Sequence, residues 1–487
     1  MEYIQPCHHR FTDRFTGGRP AKFPVSTPLG HRFHRQCVSA LIALLALPVL
    51  TVSLGATEAD EIKELREQIR ALEQKLLVIE RKQELKAAAA APAHPKITIN
   101  DKGFTFASAD GASSLRLRGL VQLDSRLFFD DQGITNNAFV LRRARLISEG
   151  VLARNFSFQF VTEFGGSAVS ILDANLGIAI NPALQFKLGR LKVPIGLELL
   201  QSDSWTFFNE RSIVTNLVPN RDLGITAAGD LLGGRLNYTV GVFNGVADAA
   251  STTNTDFDNE KDFVGRIFVS PFKNEAGSAV QGLSLGLSGS YGRQKTAAGR
   301  TGGYRTDGQQ TFFSYLTTTI ADGPTWRISP QLDFRKGPFG VLSEYVLSTV
   351  NVRNNATGAK AGLQNRGWQL AAGYVLTGED SAFAGVVPRT DFSPAADTWG
   401  AFEVTGRFAN VKIDDVVFPL YASAASNANE ASSIGVGLNW YLSKAVAFKV
   451  DYYQTGFSFN AAAPTVSTSP ALRQDENVFI TRFQLGF

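Results

Sequence analysis

The strongest constraint in the 487-residue chain is an alternation of period two, repeated over long segments from about residue 115 to the last residue. In 115–129, Leu115, Leu117, Val121, Leu123, Leu127 and Phe129 fall on one face of a strand. Arg116, Arg118, Gln122, Asp124 and Arg126 fall on the other. Side chains alternate across a strand, so this pattern makes one face apolar and the other charged. One such strand could belong to a soluble sandwich. Sixteen cannot easily do so when many have the roughly 9–11 residues a tilted strand needs to cross a bilayer. The segments are 115–129, 138–152, 155–164, 169–180, 184–190, 222–231, 234–244, 260–271, 282–294, 325–336, 339–350, 366–377, 399–411, 431–442, 445–457 and 476–487. The last carries Phe479, Thr481, Phe483, Leu485 and the terminal Phe487 on one face. The expectation is an all-β transmembrane antiparallel barrel of about 16 strands over 115–487. A further apolar patch at 311–316 would make seventeen. Bacterial single-chain barrels have even numbers, so 304–318 is read as a loop.

Short links at Arg154-Asn155, Gly233-Gly234, Gly337-Pro338 and Ser443-Lys444 mark tight turns. Longer links at 193–221, 245–259, 295–324, 351–365, 378–398, 412–430 and 458–475 are assigned to the outside, as in outer-membrane barrels.

The segment before the barrel reads differently. Residues 38–55 are an apolar run behind a basic stretch, followed by Ser53, Gly55, Ala56 and Ala59. This predicts a cleavable signal peptide over 1–57, with a membrane anchor as the alternative. Ile62, Leu65, Ile69, Leu72, Leu76 and Ile79 then step by three and four between charged flanks, predicting a short coiled-coil helix over 58–86. Mixed Ile and Leu in the seam leave the number of helices open. Residues 87–114, with Pro92 and Pro95, are read as a linker.

Composition narrows the chemistry. Both cysteines (Cys7, Cys37) lie in the leader, and all five histidines (His8, His9, His31, His34, His94) precede the strands. A Ser/His hydrolase triad is therefore not available to the barrel, and no metal or other cofactor is expected. The formal charge is +4, of which residues 1–58 hold +3, so the remainder is near +1. Bulk basic character for nucleic acid is missing. Any anion preference must come from where charges sit.

Arg142-Arg143-Ala144-Arg145-Leu146, Asp173-Ala174-Asn175-Leu176-Gly177, Leu188-Gly189-Arg190-Leu191-Lys192-Val193-Pro194 and Phe208-Asn209-Glu210-Arg211-Ser212 occur in that order. They are followed by 305–315, Ser329-Pro330-Gln331-Leu332-Asp333 and 340–345. In their order and spacing these pieces resemble the phosphate-selective porin family of Gram-negative outer membranes. The resemblance implies a homotrimer of 16-stranded barrels in outer-membrane lipid and lipopolysaccharide, passing small anions. It also implies inward-folded loops and arginines that guide the anions.

Loop 193–221 is the expected constriction, because Leu197, Leu199, Leu200, Trp205, Phe207 and Phe208 make it too apolar to stand in water. Packing at a subunit interface is the alternative. Folded inward, it leaves Glu210, Arg211 and Arg221 at the gap. The candidate pore-lining or anion-binding residues are Arg116, Arg118, Arg126, Arg142, Arg143, Arg145, Asp173, Lys187, Arg190, Ser202, Arg211, Arg293, Arg305 and Arg482. Arginine keeps its charge and offers several donors to oxyanions. The competing role for each is a structural pair with Asp124, Glu149, Asp173 or Glu210. Adjacent Arg142 and Arg143 cannot both face inward on a regular strand. Phosphate-binding members of the family place a lysine and two serines ahead of the Glu-Arg. This chain has Leu199-Leu200-Gln201-Ser202-Asp203 there, which predicts weak phosphate binding at most. Two other readings are an outer-membrane barrel enzyme using a carboxylate pair and a barrel anchor with a tethering role.

Overall fold

In the computed structural model, residues 58–90, 94–129, 136–252, 256, 258–295, 303–460 and 475–487 are described. The predicted signal peptide lies outside them. The helix α1 spans Glu58–Ala90, four residues beyond the expected end, and leaves its seam residues Leu65, Ile69, Leu72, Leu76 and Ile79 exposed. It forms a unit separate from the unit that begins at Pro92. No helix among the described residues is long and apolar enough to cross a membrane.

The barrel has sixteen strands, and each lies on one of the sixteen alternating segments. The first nine are β3 (Ser114–Phe128), β4 (Ala138–Leu152), β5 (Phe156–Glu163), β6 (Ser170–Asn181), β7 (Leu184–Lys192), β8 (Arg221–Leu231), β9 (Leu236–Phe243), β10 (Asp262–Val269) and β11 (Leu283–Lys295). The remaining seven are β14 (Thr319–Lys336), β15 (Phe339–Asn354), β16 (Lys360–Val375), β17 (Ala401–Lys412), β18 (Glu430–Tyr441), β19 (Val446–Ser458) and β20 (Asp475–Gly486). Neighbours pair antiparallel throughout, and β20 closes on β3 from Val478↔Phe128 to Gly486↔Leu120. Closure leaves no free edge in the apolar zone, as a membrane-spanning sheet requires. Exposed Leu123, Leu127, Leu176, Leu188, Ile225, Ile267, Leu287, Ile434 and Phe483 mark the outer face.

The terminal aromatic is built into the closure. Phe487 exchanges two backbone hydrogen bonds with Gly119, at 2.9 and 3.1 Å. A Cβ at residue 119 would lie 2.7 Å from the Phe487 ring, so glycine is what lets the ring lie flat there.

Three expectations need correction. The linker 87–114 contains a hairpin, β1 (Lys96–Asn100) and β2 (Gly103–Ala107), and β2 pairs with the start of β3 below the point where β20 ends. Ile97, Ile99, Phe104 and Phe106 do alternate, but the runs are too short for a bilayer strand. The loop 304–318 carries a small separate hairpin, β12 (Gly303–Arg305) and β13 (Thr311–Ser314). Its Tyr304, Phe312 and Phe313 are buried, so the apolar patch at 311–316 packs inside. The long link 378–398 is not on the outside. It joins β16 to β17 at the end that carries the tight turns. Gly385 (φ +99) there comes so near Trp205 that a Cβ would overlap the indole.

Candidate functional site

The chain between β7 and β8 leaves the wall and folds into the barrel. Val193, Ile195, Leu197, Leu199, Phe207, Phe208, Ile213, Val214, Leu217 and Val218 are all buried, which is the hydrophobic reason for the inward fold. Polar anchors fix its position. Glu344 accepts from the Leu197 N–H (2.7 Å), Asp451 accepts from the Asn209 N–H (2.6 Å), and Lys449 donates to the Thr206 carbonyl (2.7 Å). Gln201 donates to the carbonyls of Trp205 and Phe383, tying the loop to the long link 376–400.

Two carboxylates of this loop face a bank of arginines on β3, β4 and β20. Glu210 receives a bidentate pair from Arg142 (2.6 and 2.9 Å), a bond from Arg482 (2.9 Å) and a contact from Arg126 (3.4 Å). Arg482 also holds Asp124 at 2.6 and 2.8 Å and donates to the Asn209 carbonyl. Asp203 receives Arg143 (3.2 Å), Arg211 and Arg145, and Arg145 is shared with Glu163 at 2.6 Å. Burial alone would raise both loop carboxyls. Arg142, Arg143 and Arg482 instead hold Glu210 well below the ordinary carboxylate range, and Arg143, Arg211 and Arg145 do the same for Asp203.

Arg142 and Arg143 both reach inward. The register slips between Gln122 and Leu123, so that Gln122 faces Arg143 and Leu123 faces Leu141. Arg142 is the extra residue of this bulge, and a bulge re-aims a side chain that regular alternation would send outward.

Water-accessible space lies on two levels. A cavity of about 370 Å³ is bordered by Arg142, Arg143, Arg211, Arg305, Glu210 and neutral groups such as Thr215, Asn216 and Gln309. A second, of about 290 Å³, is bordered by Arg116, Glu149, Gln159, Asn175 and Lys187. Arg116 and Arg118 share Glu149 at 3.6 and 3.1 Å.

The fourteen predicted residues thus divide. Arg126, Arg142, Arg143, Arg145 and Arg482 meet in the cluster, with Arg211 locked into it by Asp203 and by the carbonyls of Glu198 and Gln201. Asp173 pairs with Arg221 (3.1 Å) on the wall. Arg116 and Lys187 border the second cavity, Arg118 pairs with its Glu149, and Ser202 is exposed beside Asp203. Arg305 is exposed, and no carboxylate among the described residues lies within ion-pairing distance of it. Two do not fit. Arg293 has the parity of the outward residues Leu285, Leu287 and Tyr291. Arg190 follows Gly189 (φ +125) and is half-buried near Arg221, Asp173 and Asp222, bordering neither cavity. The alternation of Leu283, Leu285, Leu287 and Tyr291 with serine and glycine already carried the outward parity of Arg293 in the sequence.

Sequence reasoning missed Arg407. It contacts Glu198 (3.4 Å), Asp307 (2.6 Å) and the Glu210 carbonyl (3.0 Å), and lies over the Phe208 ring. It therefore joins the inward loop to the inward hairpin β12–β13. Its inward parity on β17 was countable, but its partners lie about 100 and 200 residues away in sequence.

The model of the family of phosphate-selective porins O and P matches residues 115–487. The chain belongs to that family. As a phosphate-selective porin by family, it is an outer-membrane channel protein, and family and fold point to a channel rather than an enzyme. Among solved structures it is similar to the outer membrane channel DcaP of Acinetobacter baumannii (13% identity, TM-score 0.51, covering 78% of this chain and 99% of that one). It is also similar to OmpF of Salmonella typhi, solved with daunomycin (12% identity, TM-score 0.50, covering 80% and 100%). At such identities the likeness is one of fold. No curated protein matches the chain.

Proposed function

We propose that the barrel is an anion-preferring diffusion channel for phosphate or other small anions, without tight phosphate capture. One observation carries this reading. Both cavities are lined with an excess of positive charge, four arginines against Glu210 above, and Arg116 and Lys187 against Glu149 below. Charge at a narrow, poorly screened passage lowers the barrier for an ion of opposite sign, and it must release that ion to conduct. Most of these arginines are already paired, which favours passage over retention. Reversal potentials of single channels in asymmetric potassium chloride test the reading. Chloride should be the more permeant ion, and a preference for potassium would refute it.

The finer assignments rest on the same reading. The chain is exported by a signal peptide over 1–57, and the barrel sits among outer-membrane lipid and lipopolysaccharide as a homotrimer. The exposed apolar seam of α1 supports self-association, because an uncovered stripe on a charged helix finds a partner. Crosslinking in outer membranes tests the trimer.

A further inference from the structure

Three guanidiniums converge on one carboxylate inside the lumen. Arg143 Nη2 lies 3.2 Å from Asp203 Oδ1, Arg211 Nη1 lies 2.5 Å from the same oxygen, and Arg145 bonds Oδ2. Arg143 and Arg145 come from β4, whereas Arg211 comes from the far end of the inward loop. Carboxylates and phosphates ask for the same surroundings, charge-assisted N–H donors spread around two or three oxygens. Arg143 and Arg211 also border the 370 Å³ cavity, so the cluster opens on the route an ion would take. Arg143 Nε is buried and has no hydrogen-bond partner among the described residues.

We propose that Asp203 is a resident anion: its side chain fills an oxyanion site built by Arg143, Arg145 and Arg211, and so keeps the passage conducting where it would otherwise bind phosphate. This rests on the channel reading above.

The arginines do not depend on Asp203 for their positions. Arg145 keeps Glu163 at 2.6 Å, and Arg143 keeps the Gln122 side chain at 2.6 Å. Arg211 keeps the carbonyls of Glu198 and Gln201 at 3.0 and 2.7 Å. The loop backbone is held separately. Gln122 donates to the Asp203 carbonyl and Gln484 to the Ser204 carbonyl, each at 3.1 Å. Removing the carboxylate therefore empties the site and adds one net positive charge without releasing the loop.

The test uses the full-length protein in planar bilayers, with chloride current titrated by inorganic phosphate. Asp203→Ala and Asp203→Asn are compared with Glu163→Gln, which also removes an acid from Arg145 but leaves Asp203 in place. For Asp203→Ala the half-blocking phosphate concentration should fall at least about tenfold, the factor expected from one or more charge-assisted bonds to a bound anion. Asp203→Asn should show a smaller shift in the same direction, and Glu163→Gln, which adds the same charge but empties no site, a smaller shift still. Unchanged phosphate sensitivity in both Asp203 variants overturns the proposal. So does an equal shift in Glu163→Gln, which would make it a matter of net charge. A widened conductance, or failure of both Asp203 variants to give the heat-modifiable folded band, also overturns it, because Asp203 would then be a latch. The unmodified channel's chloride preference, read in the same membranes, reports separately on the channel reading.

Discussion

Glu210→Gln separates what holds the inward loop from what sets its electrostatics. The substitution keeps the side chain's shape and removes a charge that contacts Arg142, Arg482 and Arg126. Breaking a buried ion pair from one side costs roughly 3–5 kcal/mol, because the partner charges are left uncompensated. Asp124 stays with Arg482 and Arg126 and limits the damage. Against this stand the ten buried apolar side chains of residues 193–220. At roughly 1.5–3 kcal/mol each they are worth on the order of 15–30 kcal/mol as an upper estimate, several times the loss. The loop should therefore stay docked. Single-channel conductance should change by less than about twofold, since the gap is set by a loop that does not move. Chloride preference should rise, because the cluster gains one positive charge; two charges 4 Å apart in water interact by about 1 kcal/mol, roughly fivefold, as a floor. A several-fold jump in conductance with lost selectivity would show that the ion pairs, and not apolar burial, hold the loop inside.

Arg305→Gln should reduce chloride preference a few-fold at low salt and much less at 1 M, where the Debye length is about 3 Å; equal effects at both salts would argue against an electrostatic role. Asp203 and Glu210 should stay ionised from pH 7 down to about pH 4, near the ordinary range of exposed carboxyls, and should contribute no selectivity change in that range. Asp203 and Glu210 have depressed folded values, so their contribution is full above the unfolded value and is lost only as pH falls through the lower folded one. A selectivity change centred between about pH 5 and 6 that disappears in Asp203→Asn or Glu210→Gln would contradict this. Deleting 58–90 should leave a conducting barrel of unchanged conductance and a trimer that dissociates at lower temperature on gels; loss of channel activity in inserted protein would show that α1 is needed for the pore.

The fold was legible because a barrel wall has a simple code. Lipid on one side and water on the other impose period two, and sixteen segments carried it over enough residues to be counted. Legibility failed wherever the chain left the wall. The hairpin β1–β2 has the right alternation over too short a run, and β12–β13 is apolar without a bilayer to face. The long link 376–400 breaks the rule of tight turns because its residues prop the constriction from below. The site was legible in part for the same reason. Parity placed Arg116, Arg118, Arg126 and Arg482 inside, but parity says nothing about partners. That Arg482 is almost fully enclosed by Asp124 and Glu210 depends on a loop some 270 residues away in sequence. Arg142 could face inward only through a bulge that alternation alone does not reveal.

The cluster also explains how a lumen so rich in arginine can conduct. Arg126, Arg142, Arg143, Arg145, Arg211 and Arg482 together carry six charges, and Asp124, Glu163, Asp203 and Glu210 remove four. An uncompensated row of six buried guanidiniums would be costly to fold and would hold any oxyanion that reached it. The four acids lower that folding cost and leave a residual +2 in the cluster beside the inward loop. That residue of charge suffices to favour an anion over a cation while giving the anion no empty set of donors in which to settle. Affinity and throughput are opposed in any pore. In this one the opposition is set by a protein carboxylate, Asp203, that already holds the place a permeant oxyanion would take.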